Sequence, residues 1–259
     1  MTAYLVLLLV AALGGAMNAL AGGGTFLVFP ALLFAGVPSV SANATSSLVL
    51  LPGTIASAWV YRDTMRDMTP SFLGWMATVS LAGSLAGSLL LLHTSNLTFS
   101  MLVPWLLLGA AAVFTAAPWI RTRMLRRSAQ SKTGGHPALP ALLAGQLAIS
   151  AYGGYFGAGI GVLMLALYLA VANLEVHAAS GLRTVCGATI NTLAVIIFAA
   201  RGALDYKHGV PMLVAGIAGG YLGAHGVKRL DPQKARLGIL IYAWALTAYF
   251  FVRLALGVQ

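Results

Sequence analysis

The feature that most constrains this chain is a pair of glycine-rich interruptions inside apolar stretches. Gly22–Gly24 interrupts the first stretch, and Gly157–Gly161 interrupts the second. When the two stretches are aligned with Gly22 on Gly159, the polar segment Asn43–Ser47 matches Ser180–Thr184. The same pattern thus occurs twice at matching positions: an apolar helix breaks at glycine, and a helix with a polar start follows. This duplication predicts a membrane protein built from two repeats.

Composition limits the fold class. Of the 259 residues, 59% are hydrophobic and only 8% are charged, with a mean hydropathy of +0.89. A soluble domain has about 25% charged residues, so we predict an all-α polytopic membrane protein. The formal net charge of +10 comes from a few loops, which indicates membrane orientation rather than nucleic-acid binding. The single cysteine, Cys186, excludes an intramolecular disulfide, and nothing in the sequence points to a cofactor.

The apolar segments divide the chain into two repeats. We assign residues 1–120 to the first repeat, 121–137 to a basic cytoplasmic linker and 138–259 to the second repeat. Each repeat has one glycine-broken element, at 3–35 and at 139–172. Three transmembrane helices follow in each, at 40–61, 71–92 and 98–120, and at 176–200, 207–227 and 233–256. Residues 25–35 would reach only about 17 Å as a helix, too short for a hydrocarbon core of about 30 Å.

The path of the broken elements decides how the repeats are related. Re-entrant elements leave three crossings per repeat and invert the second repeat, whereas fully crossing elements leave the repeats parallel. The re-entrant arrangement puts eleven Lys and Arg residues on one side and three on the other, against ten and four for the crossing arrangement. Both agree with cytoplasmic enrichment of Lys and Arg. We predict inverted repeats with both termini outside, because inversion supplies the two conformations that alternating access requires.

A polar stripe follows the second interruption. Its members recur at helical spacing and share one helix face: Ser180, Arg183, Thr184, Gly187 and Asn191. The matching face of the first repeat carries Asn43, Ser46, Ser47, Leu50 and Thr54. Hydrogen-bond donors dominate and no carboxylate lies on either stripe, so two such helices would line a pocket suited to an oxyanion.

Arg183 sets the expected sign of the substrate. A cation within a transmembrane helix is rare and normally faces the protein interior or a water-filled cavity. Two structural roles stay open beside this one. Arg183 can form an ion pair with Glu175, or it can snorkel to the membrane surface from about 10 Å below the helix start.

The glycine breaks offer a second anion-binding element. A helix that starts within the membrane presents unpaired N–H groups and about half a positive charge. The alternative is that the glycines only permit close helix packing, which suits Gly83, Gly87, Gly216, Gly219, Gly220 and Gly223 better than the recurring breaks. Just before the polar stripe, His177 and Glu175 leave two roles open, proton coupling and a solvated loop.

These motifs resemble the TauE/SafE sulfite exporter family of bacterial membrane transporters. The residues that carry the resemblance are Gly22–Gly24 with Pro30, Gly36–Pro38, Asn43–Ser46, Gly157–Gly161, Ser180–Thr184 with Asn191, and Gly202–Tyr206. The resemblance covers nearly the whole chain and implies a secondary carrier of the bacterial inner membrane for small sulfur oxyanions or organosulfonates. Two segments depart from the family pattern, Gly159–Gly161 with a shortened glycine run and Asn173–Glu175 in place of a Gly-x-Pro turn.

We therefore predict a secondary transporter, not an enzyme, that carries sulfite or an organosulfonate as one half rocks against the other. The candidate substrate-binding residues are Arg183, Ser180, Thr184, Asn191, Asn43, Thr45, Ser46, Gly22, Gly23, Gly24, Gly159 and Gly161. Three residues beside the breaks form a second set of candidates: Asn18, Tyr152 and Tyr155. The expected partners are a small anion and the lipid bilayer, with proton coupling open and no prediction of oligomeric state. The competing hypotheses are a membrane-embedded enzyme and a non-transporting assembly subunit.

Overall fold

The computed structural model describes residues 2–21, 23–66, 68–130, 139–226 and 232–256. These ranges contain ten α-helices and no β-strand, which confirms the all-α prediction for the described residues. In chain order the helices are α1 (Thr2–Ala21), α2 (Thr25–Phe34), α3 (Ser39–Tyr61), α4 (Pro70–His93), α5 (Asn96–Gln130), α6 (Leu139–Tyr155), α7 (Ile160–Ala170), α8 (Val176–Ala200), α9 (Tyr206–Gly226) and α10 (Pro232–Ala255). A short 3-10 turn, Arg62–Met65, follows α3.

Several of these helices are suited to crossing a membrane. Among the described residues, the stretches that are long and apolar enough are Ser39–Met65, Pro70–His93, Asn96–Trp119 and Val176–Ala200. They match four of the six predicted spans. The other two correspond to α9 and α10, helices of 21 and 24 residues. The chain is therefore a helical multi-pass membrane protein.

Helix α5 is longer than predicted. It runs for 35 residues to Gln130, whereas the sequence analysis ended it at residue 120. The added segment, RTRMLRRSAQ, has neither glycine nor proline and is rich in residues of high helix propensity. The first part of the predicted linker is therefore helical, and residues 131–137 lie outside the described residues.

The first interruption forms a helical hairpin. Helix α1 ends before Gly23 and α2 begins just after Gly24, while Gly22 lies outside the described residues. Helix α2 packs back along α1, since a Cβ atom on Gly14 would lie 2.6 Å from Cγ2 of Val28. At ten residues, α2 is about 15 Å long, too short to cross a bilayer.

The second interruption forms a similar hairpin. Residues 156–159 separate α6 from α7. Gly157 and Gly159 have φ angles of +82° and +81°, a left-handed conformation that any other residue adopts at a steric cost. Helix α7 returns along α6, since a Cβ atom on Gly145 would lie 2.7 Å from Cδ1 of Leu167.

Each hairpin packs against a helix from the other half of the chain. Helix α1 lies along α9, and α6 lies along α4. At both contacts the backbones touch. A Cβ atom on Gly219 would overlap the carbonyl oxygen of Ala12, and one on Gly87 would overlap that of Ala151. Close packing of small residues therefore accounts for these glycines.

The buried apolar side chains form two clusters. The smaller cluster takes its members from α4, α6, α7 and α8: Met76, Leu142, Ile160, Met164, Tyr168, Leu169, Ala179, Leu182, Cys186 and Ile190. The larger cluster joins α1, α2, α3, α5, α9 and α10 to the C-terminal ends of α4 and α8 and to the α6–α7 break. Helices α3 and α8 pack directly against each other.

The two ends of α3 define two faces of the molecule. Near its beginning, Thr45 Oγ1 accepts the backbone N–H of Asp205, in the α8–α9 turn, at 2.9 Å. Near its end the chain enters the 3-10 turn, where Thr64 packs against Gly181 at the start of α8. We call these the Asp205 face and the Thr64 face. Helix α3 has 23 residues, which places its ends about 35 Å apart.

The backbone contact at Gly87 predicts a large effect of a single methyl group. Gly87→Ala should lower stability by about 1–3 kcal/mol or more, because α4 and α6 would be forced apart. The measurement is the thermal unfolding midpoint of the purified protein in detergent. Gly74→Ala is the matched control on the same helix, since nothing lies within 4 Å of its Cβ position. This control should leave stability unchanged or raise it by up to about 1 kcal/mol. Equal midpoints for the two variants would contradict the proposed packing.

Candidate functional site

A cavity of about 150 Å³ lies between α3 and α8, with the start of α7 as a third wall. The residues that line it are Asn18, Thr25, Ser47, Leu50, Thr54, Ser57, Tyr61, Phe156, Gly157, Gly159, Ile160, Gly161, Val162, Met164, Arg183, Thr184, Gly187 and Asn191. One water molecule needs roughly 10–15 Å³. The cavity therefore has room for several waters or one small anion.

Helix periodicity explains which side chains reach the cavity. Helix α8 presents Arg183, Thr184, Gly187 and Asn191, and α3 presents Ser47, Leu50, Thr54, Ser57 and Tyr61. Within each helix these positions recur every three or four residues, so they form one continuous face. Two polar helix faces thus meet across the cavity, as the stripes predicted.

The first turn of α7 supplies backbone donors. The N–H groups of Val162 and Leu163 bond to the carbonyl oxygen of Gly159 at 3.0 and 3.3 Å. The earlier amides, of Ile160 and Gly161, have no acceptor within their own helix, as at every helix N-terminus. Both residues line the cavity. An 11-residue helix that begins at a cavity carries about half a positive charge there.

The guanidinium of Arg183 lies beside this turn. A Cβ atom on Gly161 would be 3.1 Å from Nη1 of Arg183, so the absence of a side chain at residue 161 makes room for the guanidinium. A full positive charge and a helix N-terminus therefore occupy the same wall. None of the lining residues is acidic. The wall is electropositive, which favours a negatively charged ligand.

Most hydroxyl groups in the cavity donate to their own helices. Thr54 and Ser57 donate to the carbonyl oxygens of Leu51 and Gly53 at 2.7 and 2.9 Å. Thr184 donates to that of Gly181 at 2.7 Å. Hydroxyls rotate easily, and the lining also carries N–H donors on the Arg183 guanidinium, on the side-chain amides of Asn18 and Asn191, and on the first turn of α7.

Six of the predicted site residues line the cavity: Arg183, Thr184, Asn191, Gly159, Gly161 and Asn18. Ser180 does not line it, although it lies one turn before Arg183 on the same helix. The structure thus brings together most of the second-repeat stripe. From the first repeat, the part of α3 between Ser47 and Tyr61 lines the cavity.

Three predicted residues of α3 are buried away from the cavity. Asn43, Thr45 and Ser46 are at most 1% exposed. The amide of Asn43 donates to the carbonyl oxygen of Tyr155 at 2.9 Å, and the hydroxyl of Ser46 donates to that of Asn43 at 2.8 Å. This portion of α3 packs on the end of α6 and on the α8–α9 turn, so its polar groups are used in tertiary contacts.

The remaining predicted site residues pack beside the two helix breaks. Gly23 and Gly24 are buried behind the lining, and a Cβ atom on Gly24 would press on Asn18 at 2.9 Å and Leu50 at 2.7 Å. Tyr152 donates to the carbonyl oxygen of Ala158 at 2.8 Å, across the second break. The hydroxyl of Tyr155 lies 3.5 Å from that of Thr94. Both tyrosines therefore act as packing hydrogen-bond partners in this conformation.

Thr25, Ser57 and Tyr61 line the cavity but were not among the predicted site residues. Helical spacing could have identified two of them, because Ser57 and Tyr61 lie on the same face of α3 as Ser47 and Thr54. Thr25 follows the first glycine run and opens α2. The position matching it in the second repeat is Val162, so the comparison of repeats gave no polar signal there.

None of the residues that line the cavity is a histidine or a carboxylate. Glu175 and His177 flank the start of α8 and are exposed. A closer pair is formed by Asp205 and His208, with 2.8 Å between Oδ2 and Nδ1. Burial acts to raise the pKa of the Asp205 carboxyl, but hydrogen bonds and charge from His208 outweigh it and hold this pKa below its usual range. Among the described residues, no three His, Cys, Asp or Glu side chains come together as metal ligands.

Comparison with known proteins relates this chain to membrane transporters. The family described as sulfite exporter TauE/SafE matches residues 7–250. The probable membrane transporter protein YfcA of Escherichia coli K12 is 26% identical over 243 residues, 94% of this chain and 87% of the relative. A probable membrane transporter protein of Haemophilus influenzae is 26% identical over 232 residues, 90% of this chain and 88% of the relative.

A third relative is the probable membrane transporter protein ORF9 of a Sinorhizobium species. It is 28% identical over 247 residues, which cover 92% of this chain and 90% of the relative. No solved structure matches the chain. The relatives are membrane transporters, not enzymes, and the family match covers almost the whole sequence. The chain belongs to the TauE/SafE sulfite exporter family of membrane transporters.

Proposed function

We propose that this protein is a secondary transporter that carries a small oxyanion, sulfite or an organosulfonate, across a bacterial inner membrane by alternating access. The observation that carries the proposal is the position of Arg183, beside the first turn of α7 in a cavity whose lining has no acidic residue. The family name supplies the sulfur oxyanion. The charge arrangement supplies an independent reason to expect an anion.

Electrostatics explains how substrate binding would be selective. An oxyanion would accept hydrogen bonds from the Arg183 guanidinium and from the α7 amides, and charge-assisted bonds of this kind are the strong ones. A cation would meet only repulsion from the same wall. The cavity therefore favours anions through its fixed charges and excludes larger solutes through its size.

Three pairs of cavity residues support the repeat. Ser47 and Thr184, Leu50 and Gly187, and Thr54 and Asn191 are matched when Gly22 is aligned with Gly159, and all six line the cavity. Matching positions of two repeats would meet in this way around a shared axis. The two repeats are not chemically equivalent around this axis, because Arg183 corresponds to Ser46, which is buried outside the cavity.

Contacts at the two faces support inversion of the second repeat. The α2–α3 turn reaches the Asp205 face, since Ser39 donates to the carbonyl oxygen of Asn96 at 2.9 Å and Thr45 accepts from Asp205. The start of α8 instead reaches the Thr64 face, where Gly181 packs on Thr64. Matching helices would thus begin at opposite faces. Arg62 and Arg66 flank Thr64, so the Thr64 face would be cytoplasmic by the positive-inside rule.

The cavity would be accessible from the Thr64 face. Tyr61 lines the cavity at the end of α3, beside Thr64, and 36% of this residue is exposed. Toward the Asp205 face, Phe29 packs edge to face on Phe99 and on Phe156, and the three rings, with centroids 5.6–6.4 Å apart, would close the path. This arrangement corresponds to a cytoplasm-facing state.

The Asp205 side is closed by contacts that would separate readily. Oδ1 of Asn43 is buried and has no hydrogen-bond partner among the described residues. An unsatisfied buried acceptor costs about 1–3 kcal/mol, so this closure is less stable than a fully satisfied one. Opening would expose Asn43 and Ser46 to the cavity, which gives these predicted residues a place in the opposite conformation.

The moving units would be mixed bundles rather than the two halves of the sequence. Helix α6 packs on α4, and α1 packs on α9, through close backbone contacts. Helices in such contact would not slide past each other. The smaller apolar cluster, from α4, α6, α7 and α8, would therefore move as one body against the rest. Rocking of one sequence half against the other would break both glycine contacts.

Removal of the charge on the cavity wall tests the binding mechanism. Arg183→Leu should weaken sulfite transport about 10- to 100-fold, the loss expected for charge-assisted hydrogen bonds of about 1.5–3 kcal/mol. The measurement is sulfite flux into proteoliposomes, repeated with thiosulfate, sulfoacetate and taurine and with or without a pH gradient. Arg123→Leu is the control, because Arg123 lies over the ring of Trp119 outside the cavity. Normal flux in a folded Arg183→Leu protein would remove this mechanism.

A smaller change at Gly161 tests the position of the guanidinium. Gly161→Ala should displace Nη1 of Arg183 by a few tenths of an ångström and raise the KM for sulfite about three- to tenfold. The unfolding midpoint should barely change, since the end of a flexible side chain gives way. Gly187→Ala is the control in the same cavity, where the added methyl would lie 3.7 Å from Met164 Cε. An equal rise in KM for both variants would show that lost volume, not the guanidinium, is responsible.

Cysteine labelling tests access. In a Cys186→Ala background, Ser57→Cys should react with a membrane-impermeant maleimide added at the Thr64 face of oriented vesicles. Ser46→Cys should stay protected there, since residue 46 is 1% exposed. During turnover with sulfite, Ser46→Cys should become reactive from the Asp205 face. Labelling of Ser57→Cys from the Asp205 face alone would reverse the assigned state.

A further inference from the structure

A second cavity opens between α2, α5 and α10, away from the transport cavity. Its volume is about 580 Å³, within the range of about 300–1,000 Å³ typical of ligand pockets. Ser39 belongs to its lining and bonds to Asn96 in the α4–α5 turn. The cavity therefore lies at the Asp205 face. We call it the α2–α5–α10 groove.

The polarity of this groove changes with depth. Its polar lining sits at helix ends, because Ser39 is the first residue of α3 and Arg253 lies in the last turn of α10. Apolar residues lie both at this level and deeper, where the lining includes Val103, about two turns into α5, and Phe250, one turn before Arg253. A groove that is polar at the membrane surface and apolar below it matches the shape of an amphiphile.

Charge selects the class of amphiphile. Arg253 is the one charged residue in the lining, all of which is described. Its planar guanidinium has five N–H donors and suits a phosphate group. The nearby hydroxyl of Ser39 donates to Asn96 and that of Ser100 donates to Leu97, at 2.9 and 2.8 Å. The positive charge of Arg253 is therefore the feature of the lining that a phosphate would recognise.

We propose that the α2–α5–α10 groove binds an anionic phospholipid of the outer leaflet. The phosphate would contact Arg253, and one acyl chain would lie along Val103 and Phe250. Such a lipid would join the α2–α3 turn to α5 and α10 at the face that is closed in this conformation. The alternative is that Arg253 only snorkels to the membrane surface, which requires no preference for a particular headgroup.

Lipid retention distinguishes specific binding of an anionic phospholipid from simple snorkelling of Arg253. The full chain, extracted from nanodiscs with equal phosphatidylglycerol and phosphatidylcholine, is examined by native mass spectrometry. Wild type should retain phosphatidylglycerol about fivefold over phosphatidylcholine, the preference expected for one basic residue at an anionic surface. Arg253→Gln should abolish the preference, and Arg253→Lys should keep part of it. Arg201→Gln is the matched control, an exposed arginine at the same face and outside the groove.

Three results would overturn the proposal. One is equal retention of the two lipids by wild type. Another is the same loss of preference in Arg201→Gln as in Arg253→Gln, which would indicate a general surface charge. The third is displacement of the retained lipid by soluble glycerol phosphate, which would indicate a site for a free anion. Val103→Trp gives a second check, since a filled groove should lose both lipids while sulfite flux reports that the protein is folded.

Discussion

Backbone hydrogen bonding within the membrane is the constraint on which this architecture depends. A polar backbone group that faces lipid has no partner, so a helix can be interrupted at depth only where protein or a cavity covers the break. The α6–α7 break leaves the first amides of α7 at the cavity wall. The same glycines that permit the turn therefore create the electropositive site, and fold and binding chemistry have one origin.

Arg183 and the interrupted helix depend on each other. Gly161 leaves space for the guanidinium of Arg183, and both place positive charge on the same wall of a small cavity. Neither the guanidinium nor the helix N-terminus alone distinguishes a substrate site from ordinary membrane structure, since arginines snorkel and glycines assist packing. Their convergence, without an acidic lining residue, is the stronger indication of an anion site.

Periodicity and glycine runs predicted the helices, both breaks and the polar face of α8, because these depend on local sequence. The stretch of α3 that lines the cavity could not be predicted. Asn43 lies on the same face of α3 as Ser47, yet its amide bonds to the end of α6, while Ser57 and Tyr61 reach the cavity. Which part of a helix lines a cavity depends on where distant helices pack. The predicted end of α5 at residue 120 was wrong, because the basic segment that follows can continue a helix. Arginine has a high helix propensity.

The exchange of packing partners between the halves has a consequence for biosynthesis. Helix α1 ends at Ala21, whereas its partner α9 begins only at Tyr206, after seven other helices. A nascent chain therefore exposes the small-residue surface of α1, including Gly15, to lipid until most of translation is complete. Contacts so distant in sequence form late and slowly. Helix α1 contributes Asn18 to the cavity lining, so this part of the wall reaches its final position only after α9 has inserted.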